Sequence, residues 1–122
     1  MLRAGYLGEK NGGAARDPRS MALLFDSMRR AVDHRTAPKG PFTVQWEFAD
    51  AEPWHLRLDN GTSTAEPGAA PAPDLVLRFR SFDDFVDIGA SRADPRVLVL
   101  RGRLRPKGKL RLLAKLPKIF PG

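Results

Sequence analysis

The sequence contains no cysteine among its 122 residues, which excludes disulfides, thiolate zinc sites and a cysteine nucleophile. Histidine is nearly as scarce. His34 falls at the end of a helical pattern and His55 on the outward phase of a strand pattern, and neither has a second ligand four positions on, so no local metal site is written into the chain. None of the glycines follows a strand and opens a helix at the spacing of a phosphate-cradling loop. Asp83, Asp84 and Asp87 cluster where a helix begins, and the helix dipole explains them better than a general acid and base pair does. With no nucleophile, base, ligand set or cofactor loop at workable spacing, the expectation is a non-enzyme without metal or cofactor.

Long apolar runs are also missing. None approaches the ~20 residues that span a bilayer, and the first residues lack the continuous apolar core of a signal peptide, so a cytoplasmic location is expected. Residues 1–16 hold Gly5, Gly8, Gly12 and Gly13 among scattered charges, too little apolar surface to offset ordering, and read as a flexible tail. Residues 17–122 are expected to form one domain around one core.

Negative charge is scarce where positive charge is dense. The formal net charge is +7, and ten of the 21 Lys and Arg residues lie between Arg92 and Lys118 against one acid, Asp94. Such a field suits acidic partners: lipid headgroups, nucleic acid or acidic protein surfaces.

What is present is periodicity. Asp17-Pro18 supplies an N-cap and a first-turn proline, after which Met21, Leu24, Phe25, Met28 and Val32 recur at helical spacing, until Pro38, Gly40 and Pro41 stop the helix. The period then changes to two. Phe42, Val44, Trp46 and Phe48 form one strand face, and Trp54, Leu56 and Leu58 form another. Asn60-Gly61 predicts a tight hairpin into a short strand at Thr62 to Ala65. After the proline-rich loop Glu66 to Pro73, Leu75, Leu77 and Phe79 face inward on a fourth strand, opposite Arg78 and Arg80. Ser81 caps a helix with Phe82, Phe85, Val86 and Ile88 on its buried side, and Asp94-Pro95 opens another that Gly102 closes.

Arg103 to Arg105 predict a fifth, edge strand, and Lys107 to Leu116 a last helix. Leu112, Leu113, Leu116, Ile119 and Phe120 share one side of this basic end, and Arg111, Lys115 and Lys118 the other. This order describes an α+β layer, a largely antiparallel sheet with helices over one face. Every strand turns its aromatics to the apolar phase, opposite the arginines, whereas an RNA-reading sheet interleaves exposed aromatics with basic residues. Nucleic acid is therefore not the expected partner.

Asp94-Pro95, Gly102-Arg103-Leu104, Lys107-Gly108 and Lys115-Leu116, in that order and spacing, resemble the C-terminal signature of sterol carrier protein 2 domains. Upstream, the stretch Trp54 to Gly61 and the order of helices and strands are similar too, so the likeness runs from about Met21 to Phe120. The resemblance implies a five-stranded sheet and helices enclosing an apolar tunnel that holds a sterol, fatty acid or fatty acyl-CoA without transforming it. Phe25, Met28, Trp46, Phe85, Leu100, Leu113, Leu116 and Phe120 are the pocket candidates, and Arg111, Lys115 and Lys118 the candidates for docking on an anionic membrane. The alternative is the same fold with a filled cavity, an accessory or dimerisation module of a lipid-related pathway whose Ile119 and Phe120 dock a second copy or another protein. Two departures bear on the tunnel mouth: Arg111 stands where relatives have a small residue, and Pro117 where they have a polar one. Pro117 is expected to end or kink the last helix and leave Lys118 to Phe120 as a flap, while Pro106 confines the fifth strand to an edge.

Overall fold

The computed structural model describes residues 17–35, 37 and 40–120, and the expected N-terminal tail lies outside them. Helix α1 (Pro18–Arg30) begins where the Asp17 carboxylate accepts the N–H groups of Arg19 and Ser20, at 2.8 and 3.3 Å, and it buries Met21 and Phe25. Strands β1 (Phe42–Phe48), β2 (Ala51–Asp59) and β3 (Thr62–Pro67) follow as an antiparallel meander. Between β2 and β3, Asn60 and Gly61 both take positive φ, 49° and 87°, as the tight hairpin requires.

Strand β4 (Leu75–Phe79) returns parallel to β1, with Trp46 opposite Leu77 and Phe48 opposite Phe79. Helices α2 (Phe82–Gly89) and α3 (Pro95–Leu100) precede β5 (Leu104–Gly108), which pairs antiparallel with β4. The sheet order is β3-β2-β1-β4-β5, mixed only at its β1–β4 pair and otherwise antiparallel. Pro106 sits in β5 opposite Leu77, and β5 is an edge strand, where a residue without an N–H costs least. Ser81 caps α2 through Asp84, and Asp94 caps α3 through Arg96, as expected.

The chain's end differs from the expectation. Lys107 and Gly108 finish β5 instead of opening a helix, Leu110–Lys115 form a 3-10 helix, and a short helix α4 (Leu116–Ile119) completes the run. Pro117 does not break this segment. It lies in the first turn of α4, where an N–H has no intrahelical partner, and Leu116 before it keeps φ −56° and ψ −41°. Lys118 to Phe120 are consequently no separate flap: Ile119 is 1% exposed, its carbonyl accepts the Asp33 N–H at 2.9 Å, and the Phe120 N–H reaches the Leu116 carbonyl at 2.9 Å.

The outer face of the sheet is not bare either. Thr43 and Gln45 occupy outward positions on β1 yet are buried, because the β3–β4 connection crosses them. The Gln45 side-chain oxygen accepts the Ala70 N–H at 2.8 Å, and the His55 Nδ1–H donates to the Gly68 carbonyl at 2.9 Å. Asp74, at the end of this connection, joins three elements. Its carboxylate accepts the Thr43 N–H at 2.8 Å and faces Lys109 Nζ at 3.1 Å, and its carbonyl accepts the Lys109 N–H at 2.7 Å. Burial alone would raise the Asp74 pKa, but the Thr43 N–H and the Lys109 ammonium favour the charged form and together hold it below the ordinary carboxylate value.

A carboxyl whose folded pKa is depressed contributes stability that is present above its unfolded pKa and lost as pH falls through the folded one. Urea unfolding should therefore show stability falling on acidification below about pH 5, toward and past the unfolded value of ~3.9, with Asp74→Asn falling less steeply over that range. Gly108 makes a second test of the joint. At φ +105°, a Cβ there would stand 2.5 Å from the Asp74 carbonyl oxygen, whereas one at Gly61 meets nothing within 4 Å. Gly61→Ala should cost about 1–2 kcal/mol of backbone strain alone. Gly108→Ala should cost clearly more, read as a lower urea midpoint at unchanged slope.

Candidate functional site

Alternation places Val44, Trp46 and Phe48 of β1, Trp54, Leu56 and Leu58 of β2, Leu75, Leu77 and Phe79 of β4 and Leu104 of β5 on one sheet face, and all are buried. The helical layer meets that face through rings. Phe25 of α1 lies between Trp54, at 5.0 Å and 2° between planes, and Phe85 of α2, at 5.5 Å and 7°. Three parallel rings thus run from β2 across α1 to α2. Trp46 meets this column at a tilt, 5.5 Å and 59° from Phe25 and 6.4 Å and 58° from Phe85, and takes Phe120 edge-on at 6.2 Å. Phe48, Phe79 and Phe82 close the other flank of Phe85 at 5.4, 5.6 and 5.8 Å.

Of the eight pocket candidates, Phe25, Trp46 and Phe85 are in mutual contact at this centre, and Phe120 joins them through Trp46. Met28, Leu113 and Leu116 are half-buried and pack against the same core. Leu100 is not brought to it. It is 86% exposed, because Leu98 is the residue α3 turns inward and a helix carries a side chain two positions on to nearly the opposite side. Among the described residues no open apolar tunnel is shown, and rings in contact lie between sheet and helices. A shallow hollow of about 420 Å³ between α2 and α3, lined by Ile88, Arg92 and Pro95 among others, lies apart from this layer.

The main residue that sequence reasoning passed over is Trp54. Its indole Nε1 is buried and has no hydrogen-bond partner, which among the described residues is true of no other side-chain polar atom. An unmade buried hydrogen bond costs about 1–3 kcal/mol. The signal for it was present in the apolar phase of β2, which sets Trp54 directly across from Trp46 in the ladder. Arg103 was passed over as well. Its Nε donates to the buried Asp84 carboxylate at 2.9 Å and ties α2 to the start of β5.

On the outside, Arg111 and Lys115 are exposed on the 3-10 helix, while the Lys118 side chain lies outside the described residues. Among the described residues no helix is long and apolar enough to cross a membrane.

The profile of the SCP-2 sterol transfer family matches residues 26–121. The chain belongs to that family. Solved structures agree on the fold. Sterol carrier protein 2 from Yarrowia lipolytica in its apo form superposes with a TM-score of 0.67 at 19% identity, over 87% of this chain and 94% of that one. Palmitated SCP2L2 from Aedes aegypti gives 0.63 at 19%, over 81% and 92%. The stereoselective inverting sec-alkylsulfatase Pisa1 from Pseudomonas sp. gives 0.72 at 22%, over 99% of this chain and 20% of that one, so the chain spans about a fifth of that enzyme's length. No curated protein sequence matches significantly. These likenesses establish the sterol carrier protein 2 fold, and family and fold together support lipid binding or transfer as a class of function.

If the ring column carries the sterol-carrier core, Phe25→Ala should lower stability by about 3–5 kcal/mol, the cost of emptying a fully buried aromatic site. Leu100→Ala should leave it within about 0.5 kcal/mol. Chemical denaturation of both variants measures the contrast.

Proposed function

We propose that the chain binds a neutral or acyl lipid between its sheet and its helical layer and carries it without chemical change. The observation that carries this is the family match over residues 26–121, which falls on a molecule whose interior is a layer of rings joining sheet to helices. Such a layer is held by dispersion and apolar burial, neither of which has direction, so a lipid can replace ring contacts with contacts of the same kind. Phe25, Met28, Trp46, Phe85, Leu113, Leu116 and Phe120 form its wall. Phe120 and Leu116, in the last segment of the chain, are half-buried parts of that wall. Burying ~300 Å² of lipid at ~25 cal/mol/Å² gives ~7.5 kcal/mol before ordering costs, which sets a ceiling near micromolar affinity from apolar contact of that area.

Arg111, Lys115 and Lys118 then meet an anionic membrane while the lipid passes. A second reading, an accessory module within or beside an enzyme, is favoured by the likeness to Pisa1, where a region of this fold makes up about a fifth of a longer chain.

Native mass spectrometry of protein purified without added lipid should show heterogeneous bound lipid mass; a single unliganded mass from protein that also takes up no added lipid supports the accessory module instead. Binding to phosphatidylserine-containing vesicles should weaken as salt shortens the Debye length from about 10 Å near 0.1 M to about 3 Å near 1 M. Lys115→Glu, reversing one cation at ~1 kcal/mol per charge, should weaken it by about 30-fold. Vesicle binding indifferent to both salt and Lys115→Glu would remove the docking assignment.

A further inference from the structure

The lipid reading leaves the Trp54 donor unexplained. Trp54 is 5% exposed, its ring is stacked face to face on Phe25, and its Nε1–H is buried without a partner. Indole nitrogen is a donor only, so what completes it must be an acceptor. The ring lies against the apolar layer, with Phe25 on its face and Trp46 across the ladder. Buried polar groups are normally satisfied, and an exception at the wall of a binding layer points to a group that the ligand brings.

We propose that Trp54 Nε1–H donates a hydrogen bond to an oxygen of the bound lipid, and that this oxygen is neutral: a hydroxyl, ketone or ester carbonyl. The inference rests on the lipid reading above. The choice of a neutral oxygen follows from desolvation. One uncharged donor replaces the water around a carbonyl or hydroxyl tolerably well, but an ionised carboxylate at the same depth needs a cation or several donors. The ring contacts of Trp54 and its partner across the ladder provide neither. The ligand class is accordingly a long apolar body with one acceptor oxygen held inside, and a free carboxylate, where a ligand has one, stays outside at the rim. The apolar body supplies affinity and Trp54 supplies orientation, because a single directed bond in an otherwise directionless layer fixes which end of the lipid goes in first.

The chain has two tryptophans, so a nitrogen-15 labelled sample gives two side-chain indole signals, Trp46 and Trp54, assigned by the Trp54→Phe variant and by proximity to the Phe25 ring. Hexadecanol, ionised palmitate and hexadecane serve as probes, with binding followed independently by native mass. Hexadecanol should move the Trp54 indole proton downfield and slow its exchange with solvent, while hexadecane and ionised palmitate bind without doing so. Trp54→Phe should lower hexadecanol affinity about ten-fold, the worth of one net hydrogen bond, and change hexadecane affinity by less than about two-fold. An unmoved Trp54 signal with hexadecanol demonstrably bound overturns the proposal and leaves lipid binding standing. A shift produced by ionised palmitate alone overturns the neutral-oxygen assignment. Failure of all three probes to bind removes the lipid site itself, and with it any role for Trp54 in it.

Discussion

Phe25 sits fully buried between Trp54 and Phe85, and this clamp is the contact on which the rest of the architecture depends. The chain has no disulfide to hold its helical layer to its sheet. The sheet offers one fully apolar face, and α1, α2 and the C-terminal segment each set a ring against it, Phe25, Phe85 and Phe120, beside aliphatic side chains such as Met21, Val86 and Ile119. Aromatic pairs supply large area and some preference for geometry, but they do not lock a single register as a hydrogen-bond ladder does. A layer joined this way can be well packed and still accept a substitute of the same chemistry. The polar ties lie around it instead: Ser63 Oγ to the Arg29 carbonyl at one side, Arg103 to Asp84 at another.

The Asp74 joint makes the placement of the last segment possible. Because Gly108 takes a conformation closed to other residues and approaches the Asp74 carbonyl, β5 ends at once and the chain turns back over the sheet. That turn delivers Leu112 and Ile119 into the core and Phe120 onto Trp46. The basic residues follow passively. Once one side of a short helical run faces the core, Arg111 and Lys115 are left outside, so the apolar pattern alone fixes where the positive field is presented.

Much of this was legible from the residues. Alternation gave the strand faces, and Asp17, Ser81 and Asp94 marked three helix starts, because both signals are local and need no knowledge of the partner. The resemblance supplied strand number and family. What stayed illegible depended on distant partners. Nothing in Leu75 to Phe79 says that this strand lies parallel to β1, nor in Gln45 that a loop some 25 positions on will bury an outward polar position. Lys107-Gly108 looked like a helix start because the stretch is rich in Lys and Leu, yet pairing with Leu75 and Val76 drew it into β5. Leu100 looked internal because α3 is apolar almost throughout, and with six residues it has no periodicity long enough to choose a face. Pro117 was read as a breaker where a new helix in fact begins, a distinction that turns on the preceding 3-10 geometry.

The same division between local and distant information bears on the site. Apolar residues are interchangeable in a wall, so a family likeness near 20% identity can preserve the layer while altering every side chain that a ligand touches. Selectivity in such a wall has to come from shape or from the few polar atoms left in it. Shape is distributed over many rings and yields readily to substitution. A polar atom is singular, and its cost when unmet makes its presence in the core hard to attribute to packing alone. Trp54 is therefore more informative about the ligand than the rings stacked beside it, although its backbone position is an unexceptional one in the middle of β2.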